Sequence, residues 1–227
     1  MKALTLKEVA EYCRGTLDPA FASVVVTGVQ SDSRRVREGD LFVAISGEHS
    51  DGHDFISMAA KHGAAAALVS KKVEAQIPLI VVPDTVRAYG DLAMAYRERM
   101  GITVIGITGS VGKTTTKEMT ACVLSRSYRT ARTEGNHNNN LGLPMTIMEM
   151  PDDTEVAVLE MGMNHFGEMA YLTSIARPDI AIITNIGTMH IEHLGSREGI
   201  LEAKLEIFRG VPKNGVGVFN GDEPLLW

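Results

Sequence analysis

The sequence predicts an α/β fold, in which a small N-terminal α/β domain at residues 1–100 is followed by a mainly parallel-sheet domain at residues 101–227. Beyond Gly101, short apolar runs alternate with helical segments, as in βαβ units. Runs such as residues 180–183 are apolar throughout, which is typical of strands buried on both faces of a parallel sheet. The 227 residues, 44% hydrophobic and 22% charged, suffice for one large domain or two small ones.

The elements of the first part follow from local patterns. Thr5 and Glu8 have the spacing of a capping box and Gly15 is a suitable stop, so a helix is predicted over residues 5–14. The other segments are assigned from apolar runs and helical periodicity. Strands are predicted at residues 24–29, 41–45, 66–70 and 77–82, and helices at residues 54–62 and 84–100.

The second part repeats a strand, a polar turn and a helix. Strands are predicted at residues 102–107, 156–159, 180–184 and 216–219, and helices at residues 113–126, 167–176 and 197–208. The pattern breaks off at Trp227, soon after a strand that leads toward more sheet. We therefore expect this domain to be incomplete at its C-terminus and the chain to be a truncated form of a longer protein.

Charge and composition narrow the classes of function. A net charge of −6 and the lack of a basic run argue against a nucleic-acid partner. No stretch approaches the roughly 20 apolar residues of a membrane helix, and the N-terminus has no signal-peptide pattern. Cys13 and Cys122 lie far apart and form no CxxC pair. We expect a monomeric, soluble, cytoplasmic protein with no disulfide framework and no membrane insertion.

A glycine-rich loop joins the predicted strand at residues 102–107 to the helix that follows it. In such a loop, backbone N–H groups turn toward phosphate oxygens, and the helix N-terminus adds its positive dipole end. Lys113 is placed to reach the β- and γ-phosphates, and the Thr114 hydroxyl to join a Mg²⁺ shell. The spacing is irregular, because Ile107 stands where the general pattern has glycine, yet the strand–loop–helix context favours ATP with Mg²⁺ over an unliganded turn. The predicted ATP-binding residues here are Gly109, Ser110, Val111, Gly112, Lys113, Thr114 and Thr115.

Other polar residues follow predicted strands, where ligands bind in open α/β sheets. Glu160 follows one strand and either coordinates Mg²⁺, directly or through water, or is a surface or strand-capping glutamate. His190 lies beyond the next strand, and the residues alone leave open whether it is a ligand or a structural histidine. Asn140, in a run of asparagines, is a nucleotide contact, the N-cap of the next helix, or both. From chemistry alone, Lys204 is a solvated helix residue with no role.

Together these motifs resemble the Mur ligase family over essentially the whole chain. In the first part the resemblance rests on Ser31-Asp32-Ser33-Arg34, residues 39–44 and Asp51-Gly52-His53-Asp54. In the second part it rests on the phosphate loop, residues 138–144, Glu160-Met161-Gly162, Arg177-Pro178, Thr184-Asn185-Ile186-Gly187, His190-Ile191-Glu192, Ala203-Lys204 and Glu206-Ile207-Phe208. The family uses this shorter form of the phosphate loop, so the irregular spacing supports the resemblance.

The resemblance implies an ATP-dependent amide-bond ligase of peptidoglycan precursor synthesis. The asparagine run followed by Leu-Gly-Leu-Pro favours the member that joins D-alanyl-D-alanine to UDP-N-acetylmuramoyl-tripeptide through an acyl-phosphate intermediate. By this resemblance, Lys113, His190 and Lys204 are catalytic, with Lys204 carried as a carbamate. Thr114 and Glu160 hold one Mg²⁺, and His190 helps to hold a second metal ion.

The resemblance also implies that residues 1–100 bind the UDP-muramoyl-peptide, with Ser31, Asp32, Ser33 and Arg34 near the uracil and the phosphates. The family has a further C-terminal ligase domain, which we expect to be absent here. The chain is then expected to bind nucleotide without completing ligation alone. Phosphate release that depends on both substrates would contradict this expectation.

Three alternatives stay open. One is a sister ligase, either the enzyme that adds the third amino acid or a relative of folylpolyglutamate synthase. The second is a noncatalytic UDP-sugar-binding fragment, which should ignore ATP. The third is a generic P-loop NTPase switch, against which the absence of an Asn-Lys-x-Asp element for guanine argues.

Overall fold

The structure, a computed structural model, describes residues 1–47 and 50–227 of the chain. They form two compact units, one made of Met1–Tyr96 and Ile147–Asp152 and the other of Arg97–Thr146 and Asp153–Trp227. Each unit contains its own five-stranded sheet. Within the described residues, no helix is both long and apolar enough to span a bilayer.

The first unit is built around a sheet whose strands run in the order β2-β7-β6-β5-β4. β4, β5, β6 and β7 are parallel to one another, whereas β2 pairs with β7 in the antiparallel sense. β1 and β3 form a separate antiparallel pair. Apolar side chains such as Phe42, Ile56 and Val69 form a core cluster of this unit. Its elements are β1 (Leu4–Thr5), α1 (Leu6–Cys13), β2 (Thr16–Leu17), β3 (Val25–Val26), β4 (Gly28–Gln30), β5 (Asp40–Val43), α2 (Ile56–Lys61), β6 (Ala66–Val69), β7 (Leu79–Val81) and most of α3 (Thr85–Met100).

The capping box at the start of α1 and the end of this helix before Gly15 are confirmed, whereas the single strand predicted at residues 24–29 is wrong. Thr5 accepts a hydrogen bond from the Glu8 amide, and the Glu8 carboxylate accepts one from the Thr5 amide. The left-handed residue that ends α1 is Arg14, with φ 53°, rather than Gly15. Gly15 instead permits close packing, since a Cβ there would lie 2.6 Å from Ile80 Cγ2.

The strand predicted over residues 24–29 is divided into β3 and β4. β3 pairs with β1 outside the main sheet, whereas β4 pairs with β5 inside it. At the division, the Thr27 amide donates to Gly39 O at 2.9 Å. A local apolar pattern cannot distinguish the two pairings, because the partners lie elsewhere in the chain.

The second unit contains the predicted parallel sheet, which is confirmed. Its strands run in the order β12-β11-β8-β10-β9, and every neighbouring pair is parallel. β8 lies in the middle, so the carboxyl ends of β8, β10 and β11 meet where ligands bind in such sheets. The elements are β8 (Thr103–Thr108), α4 (Lys113–Leu124), β9 (Thr130–Arg132), the start of α5 (Gly142–Glu149), β10 (Val156–Glu160), α6 (Glu168–Ala176), β11 (Ile180–Ile183), α7 (Ile191–Leu194), α8 (Arg197–Leu205) and β12 (Val216–Phe219).

The helix predicted over residues 197–208 is shorter than expected. α8 ends at Leu205, and Glu206–Arg209 forms a 3-10 turn. The carboxylate of Glu206 accepts hydrogen bonds from the backbone N–H groups of Gly167 and Ala170 at 3.0 and 3.1 Å. These amides belong to the first turn of α6, so Glu206 satisfies donors that α6 cannot satisfy itself. The tertiary contact thus accounts for the change of helix type.

Candidate functional site

The glycine-rich loop lies between the end of β8 and the start of α4, as the sequence predicts. Gly109 has φ +148° and Gly112, the N-cap of α4, has φ +82°. Residues with side chains rarely adopt these values, which explains glycine at both positions. The loop therefore delivers the chain to the N-terminus of α4 at the carboxyl edge of the sheet, where unpaired helix amides attract anions.

Lys113 begins α4 and folds back over the loop. Its Nζ donates to Gly109 O at 2.8 Å and to Ser110 O at 3.3 Å. Burial lowers the pKa of Lys113, and the negative charge of Glu160 opposes that shift. Among residues 1–47 and 50–227, the hydrogen-bond partners of the ammonium are thus two loop carbonyl groups and no carboxylate.

Residues 184–187, called the clasp segment below, hold the loop from the end of β11. The Asn185 side-chain oxygen accepts hydrogen bonds from the amides of Ser110 and Val111 at 3.1 and 2.9 Å. The Thr184 hydroxyl donates to Val111 O at 2.6 Å, and the Gly187 amide donates to Ser110 Oγ at 2.9 Å. The sequence predicts these residues at a strand end but does not assign Asn185 a contact. The sequence feature that points to a role for Asn185 is its position directly after a predicted strand.

Glu160 and Thr114 are hydrogen-bonded to each other where the loop enters α4. The Thr114 hydroxyl donates to Glu160 Oε2 at 2.9 Å, and Asn138 Nδ2 donates to Glu160 Oε1 at 2.9 Å. Glu160 is only 2% exposed, and its amide donates to Thr133 Oγ1 at 3.0 Å. A buried carboxylate is thus held by two neutral donors, an arrangement that leaves its charge available to a cation. Asn138 is a site residue that the sequence did not single out.

The helix α5 is capped by a different asparagine of the run from the one that the sequence suggests. Asn139, not Asn140, accepts the amides of Leu141 and Gly142 at 3.1 and 2.9 Å at the start of α5. The N-cap interpretation of Asn140 is therefore wrong, because the preceding residue takes the capping bonds. Asn140 is exposed, which keeps its amide accessible.

Lys204 is buried on α8, contrary to the solvated position expected from chemistry alone. It is 3% exposed, and no hydrogen bond or ion pair joins it to any residue that the structure describes. Burial lowers the pKa of Lys204 to about 8, and repulsion from Lys113 adds to the shift. The two lysines thus lie close enough to repel each other, and no carboxylate among the described residues forms an ion pair with Lys204.

His190 lies beyond β11 with a left-handed backbone, φ 64°, and is half-buried as the N-cap of α7. Its ring makes no hydrogen bond or ion pair with any described residue, Glu160 and Lys204 included. Across residues 1–47 and 50–227, no group of three His, Cys, Asp or Glu side chains is arranged to hold a metal ion. The metal ligands predicted from sequence therefore divide into a joined pair, Thr114 and Glu160, and a separate His190.

In the first unit, residues 31–34 follow the carboxyl end of β4. Arg34 donates from Nε and Nη2 to the two oxygens of Asp32 at 2.9 and 2.7 Å. These hydrogen bonds lower the pKa of Asp32 to about 2. Ser33 is buried, and its carbonyl contacts His62 Nδ1 at 2.8 Å. The segment is anchored at Ser33, while the Arg34 guanidinium is exposed.

Replacing Gly109 with alanine is expected to destabilise the chain by about 1–3 kcal/mol, because overpacking has costs of that size. A Cβ at Gly109 would overlap the Thr184 hydroxyl, and φ +148° is itself unfavourable for alanine. Urea unfolding of Gly109→Ala beside Gly101→Ala provides the measurement, since a Cβ at Gly101, φ +66°, meets no atom within 4 Å. Equal loss of stability in both variants would show that contact with the clasp segment is unimportant.

Two family models, both of Mur ligases, match the chain. The Mur ligase middle domain matches residues 107–226, and the family model described as Mur ligase family, catalytic domain, matches residues 25–114. UDP-N-acetylmuramoyl-tripeptide–D-alanyl-D-alanine ligase of Bacillus subtilis (strain 168) is 48% identical over 226 residues, covering 98% of this chain and 50% of the relative.

Two solved structures are also similar. MurF from Acinetobacter baumannii superposes with a TM-score of 0.93 at 37% identity, covering 99% of this chain and 50% of that one. MurF from Thermotoga maritima in complex with ADP superposes with a TM-score of 0.83 at 38% identity, covering 88% of this chain and 47% of that one. The chain spans about half the length of the relatives it matches. On these matches, the chain belongs to the Mur ligase family.

Proposed function

We propose that this chain carries the nucleotide-binding part of an ATP-dependent ligase that joins D-alanyl-D-alanine to UDP-N-acetylmuramoyl-tripeptide through an acyl phosphate. The observation that carries the proposal is the Thr114–Glu160 pair, joined at 2.9 Å beside the Lys113 loop. The name of the 48% identical relative supports the reaction, and the ADP complex of the Thermotoga maritima relative supports the nucleotide. Charge neutralisation and positioning are what phosphoryl transfer demands of a protein.

The loop residues fit a nucleotide. Gly109 and Gly112 provide the backbone geometry, and Lys113 needs only to exchange two carbonyl contacts for phosphate oxygens. At the end of β8, Thr108 Oγ1 is buried without a hydrogen-bond partner among the described residues. An orphaned polar atom at this position is an observation that a bound polar group would explain. We assign residues 109–115 and Asn140 to ATP binding.

The donor set at Thr114 and Glu160 fits Mg²⁺. This ion takes oxygen ligands, keeps several waters and usually bonds to one or two protein side chains plus substrate phosphates. The Thr114 hydroxyl and the Glu160 carboxylate are oxygen donors already in contact. When bound, Mg²⁺ supplies neutralisation of phosphate charge, while Lys113 binds the transferring group and the clasp segment orients the loop.

Lys204 fits the carbamate that the family resemblance implies. Carbon dioxide reacts with the neutral amine, releases a proton and leaves a carboxylate on nitrogen. A pKa of about 8 makes the neutral amine accessible near neutral pH, and the product replaces a cation that repels Lys113 with an anion that attracts it. We assign the second metal contact to His190, whose ring is unengaged within the described part of the chain.

The substrate side of the proposal concerns residues 1–100. Ser31, Asp32, Ser33 and Arg34 follow a parallel strand at its carboxyl end, where ligands of α/β sheets bind. The exposed Arg34 guanidinium is suited to phosphate oxygens. We propose that this segment binds the uridine diphosphate, and that the protein acts as a monomer in the cytoplasm.

Two other functions remain to be separated by experiment. The sister ligase that adds the third amino acid differs in its acceptor, so ligation by the longer protein with D-alanyl-D-alanine and with a diamino acid distinguishes the two. Product formed only with the diamino acid would overturn the proposed acceptor. A noncatalytic UDP-sugar-binding fragment predicts calorimetric binding of the sugar nucleotide and none of ATP.

Changing Glu160 to glutamine is expected to weaken binding of Mg²⁺·ADP about tenfold while leaving Mg²⁺-free ADP nearly unchanged. Glutamine keeps the size of the side chain but removes the charge that holds the cation. Calorimetry with and without Mg²⁺ provides the measurement, with exposed Glu202→Gln as the control. Retention of the full Mg²⁺ effect in Glu160→Gln would exclude this carboxylate as a metal ligand.

A further inference from the structure

An ion pair between Arg197 and Glu223 holds the peptide of Ile186, in the middle of the clasp segment. Arg197, the first residue of α8, donates from Nη2 to Ile186 O at 2.6 Å and to Glu223 Oε1 at 2.8 Å. The other oxygen of Glu223 accepts the Ile186 amide at 3.3 Å. Both hydrogen-bonding groups of one backbone residue are thus held by one Arg–Glu pair.

The two members of the pair differ in exposure, and the carboxylate is the one shielded from water. The side chain of Glu223 is 10% exposed and that of Arg197 is 44% exposed. Hydrogen bonds between a guanidinium and a carboxylate are stronger than those between neutral groups, and the low exposure of Glu223 limits their screening by water. Glu223 also accepts the Leu225 amide at 3.4 Å, in the turn formed by Pro224–Leu226. The pair therefore ties the clasp segment to residues 223–226 as well as to α8.

The residues on either side of Ile186 contact the phosphate loop directly. Asn185 accepts the Ser110 and Val111 amides, and Gly187 donates to the Ser110 hydroxyl. A Cβ on Gly187 would lie 3.0 Å from Ser110 Cβ, so the two backbones are in close contact. Movement of the Ile186 peptide would therefore move donors and acceptors on both sides of it.

We propose that Arg197 and Glu223 are positioning residues for the phosphate loop, acting through Ile186 on Asn185 and Gly187. The proposal rests on the nucleotide function assigned to the loop. No hydrogen bond joins either member of the pair to residues 109–115, within the part of the chain that is described. Their effect on nucleotide affinity is then indirect, through the order of the loop before nucleotide binds.

The first test needs no nucleotide. Arg197→Met keeps an unbranched apolar stem but removes every donor, and Arg197→Lys restores the charge. The control is Arg129→Met, which breaks another Arg–Glu pair of the same unit, with Glu155 at 3.1 Å. Amide hydrogen exchange at Ser110 and Val111 is expected to accelerate about tenfold in Arg197→Met, less in Arg197→Lys, and no more than the rest of the unit in Arg129→Met.

The second test measures affinity for Mg²⁺·ADP by calorimetry. We expect Arg197→Met to raise the Kd about tenfold, Arg197→Lys to recover part of the loss, and Arg129→Met to match the wild type. Unchanged exchange at Ser110 and Val111 in Arg197→Met would overturn the inference, as would a general acceleration equal to that of Arg129→Met. If the wild type binds no Mg²⁺·ADP, the proposed function fails, whereas the exchange measurement still decides the positioning role.

Discussion

Replacing Lys113 with methionine is expected to weaken Mg²⁺·ATP binding by about 100-fold, the loss that follows from removing a charged donor to phosphate. Methionine keeps the unbranched stem and removes the only ammonium bonded to the loop among the described residues. Because burial already lowers the pKa of Lys113, the folded chain gives up little stability with this charge. The expected result is therefore a large loss of affinity with a folded protein.

Isothermal titration calorimetry gives the affinity, and circular dichroism verifies the fold. Lys213→Met is the matched control, since Lys213 is an exposed lysine of the same unit. An affinity within about threefold of the wild type in Lys113→Met would mean that the loop does not bind the phosphates as assigned.

Replacing Lys204 with methionine is expected to stabilise the chain near neutral pH in buffer free of carbon dioxide. The folded state lowers the pKa of Lys204 from 10.5 to about 8, so the folded state binds this proton more weakly than the unfolded state does. Below the lower value both states are protonated, and the buried cation destabilises the fold by about 3 kcal/mol at most. Methionine removes that cation and keeps a stem of similar shape.

The sign of the pH dependence follows from the same shift. As pH rises from about 8 toward 10.5, the folded state loses the proton first and the wild type gains stability. The advantage of Lys204→Met over the wild type should therefore shrink in that range, as measured by urea unfolding at a series of pH values. Added bicarbonate should stabilise the wild type alone, because a carbamate also removes the cation. A stability difference that does not change with pH would refute the assignment of a buried, uncompensated amine.

The parts of the fold that sequence predicts are those determined locally. Thr5 and Glu8 form their capping box because both partners lie within one turn of helix. The division of residues 24–29 into β3 and β4 depends on partners elsewhere in the chain, at β1 and β5. The end of α8 likewise depends on Glu206 meeting amides of α6, a contact that spans 39 residues at Gly167. Contacts between residues that lie far apart in the chain leave no periodic pattern in the sequence, so they could not be predicted from it.

The same distinction, between features determined by nearby residues and those determined by distant contacts, applies to the candidate site. Thr114 and Glu160 come together because Glu160 ends β10 and Thr114 lies in the first turn of the helix that follows the neighbouring parallel strand β8. Chain order and strand alternation predict this relation. Asn138 and Asn185 were not assigned, since an asparagine near a strand end has several equivalent uses. The burial of Lys204 was also missed from chemistry alone, because an isolated lysine on a helix is usually solvated.

The central claim is that residues 109–115 bind nucleotide phosphates with Mg²⁺ held at Thr114 and Glu160. Calorimetric titration of the 227-residue chain with ATP, with and without Mg²⁺, tests it most directly. We expect one nucleotide per chain, an affinity that rises when Mg²⁺ is added, and loss of both effects in Lys113→Met. Absence of binding by the folded wild type, or binding that neither Mg²⁺ nor Lys113→Met alters, would contradict it.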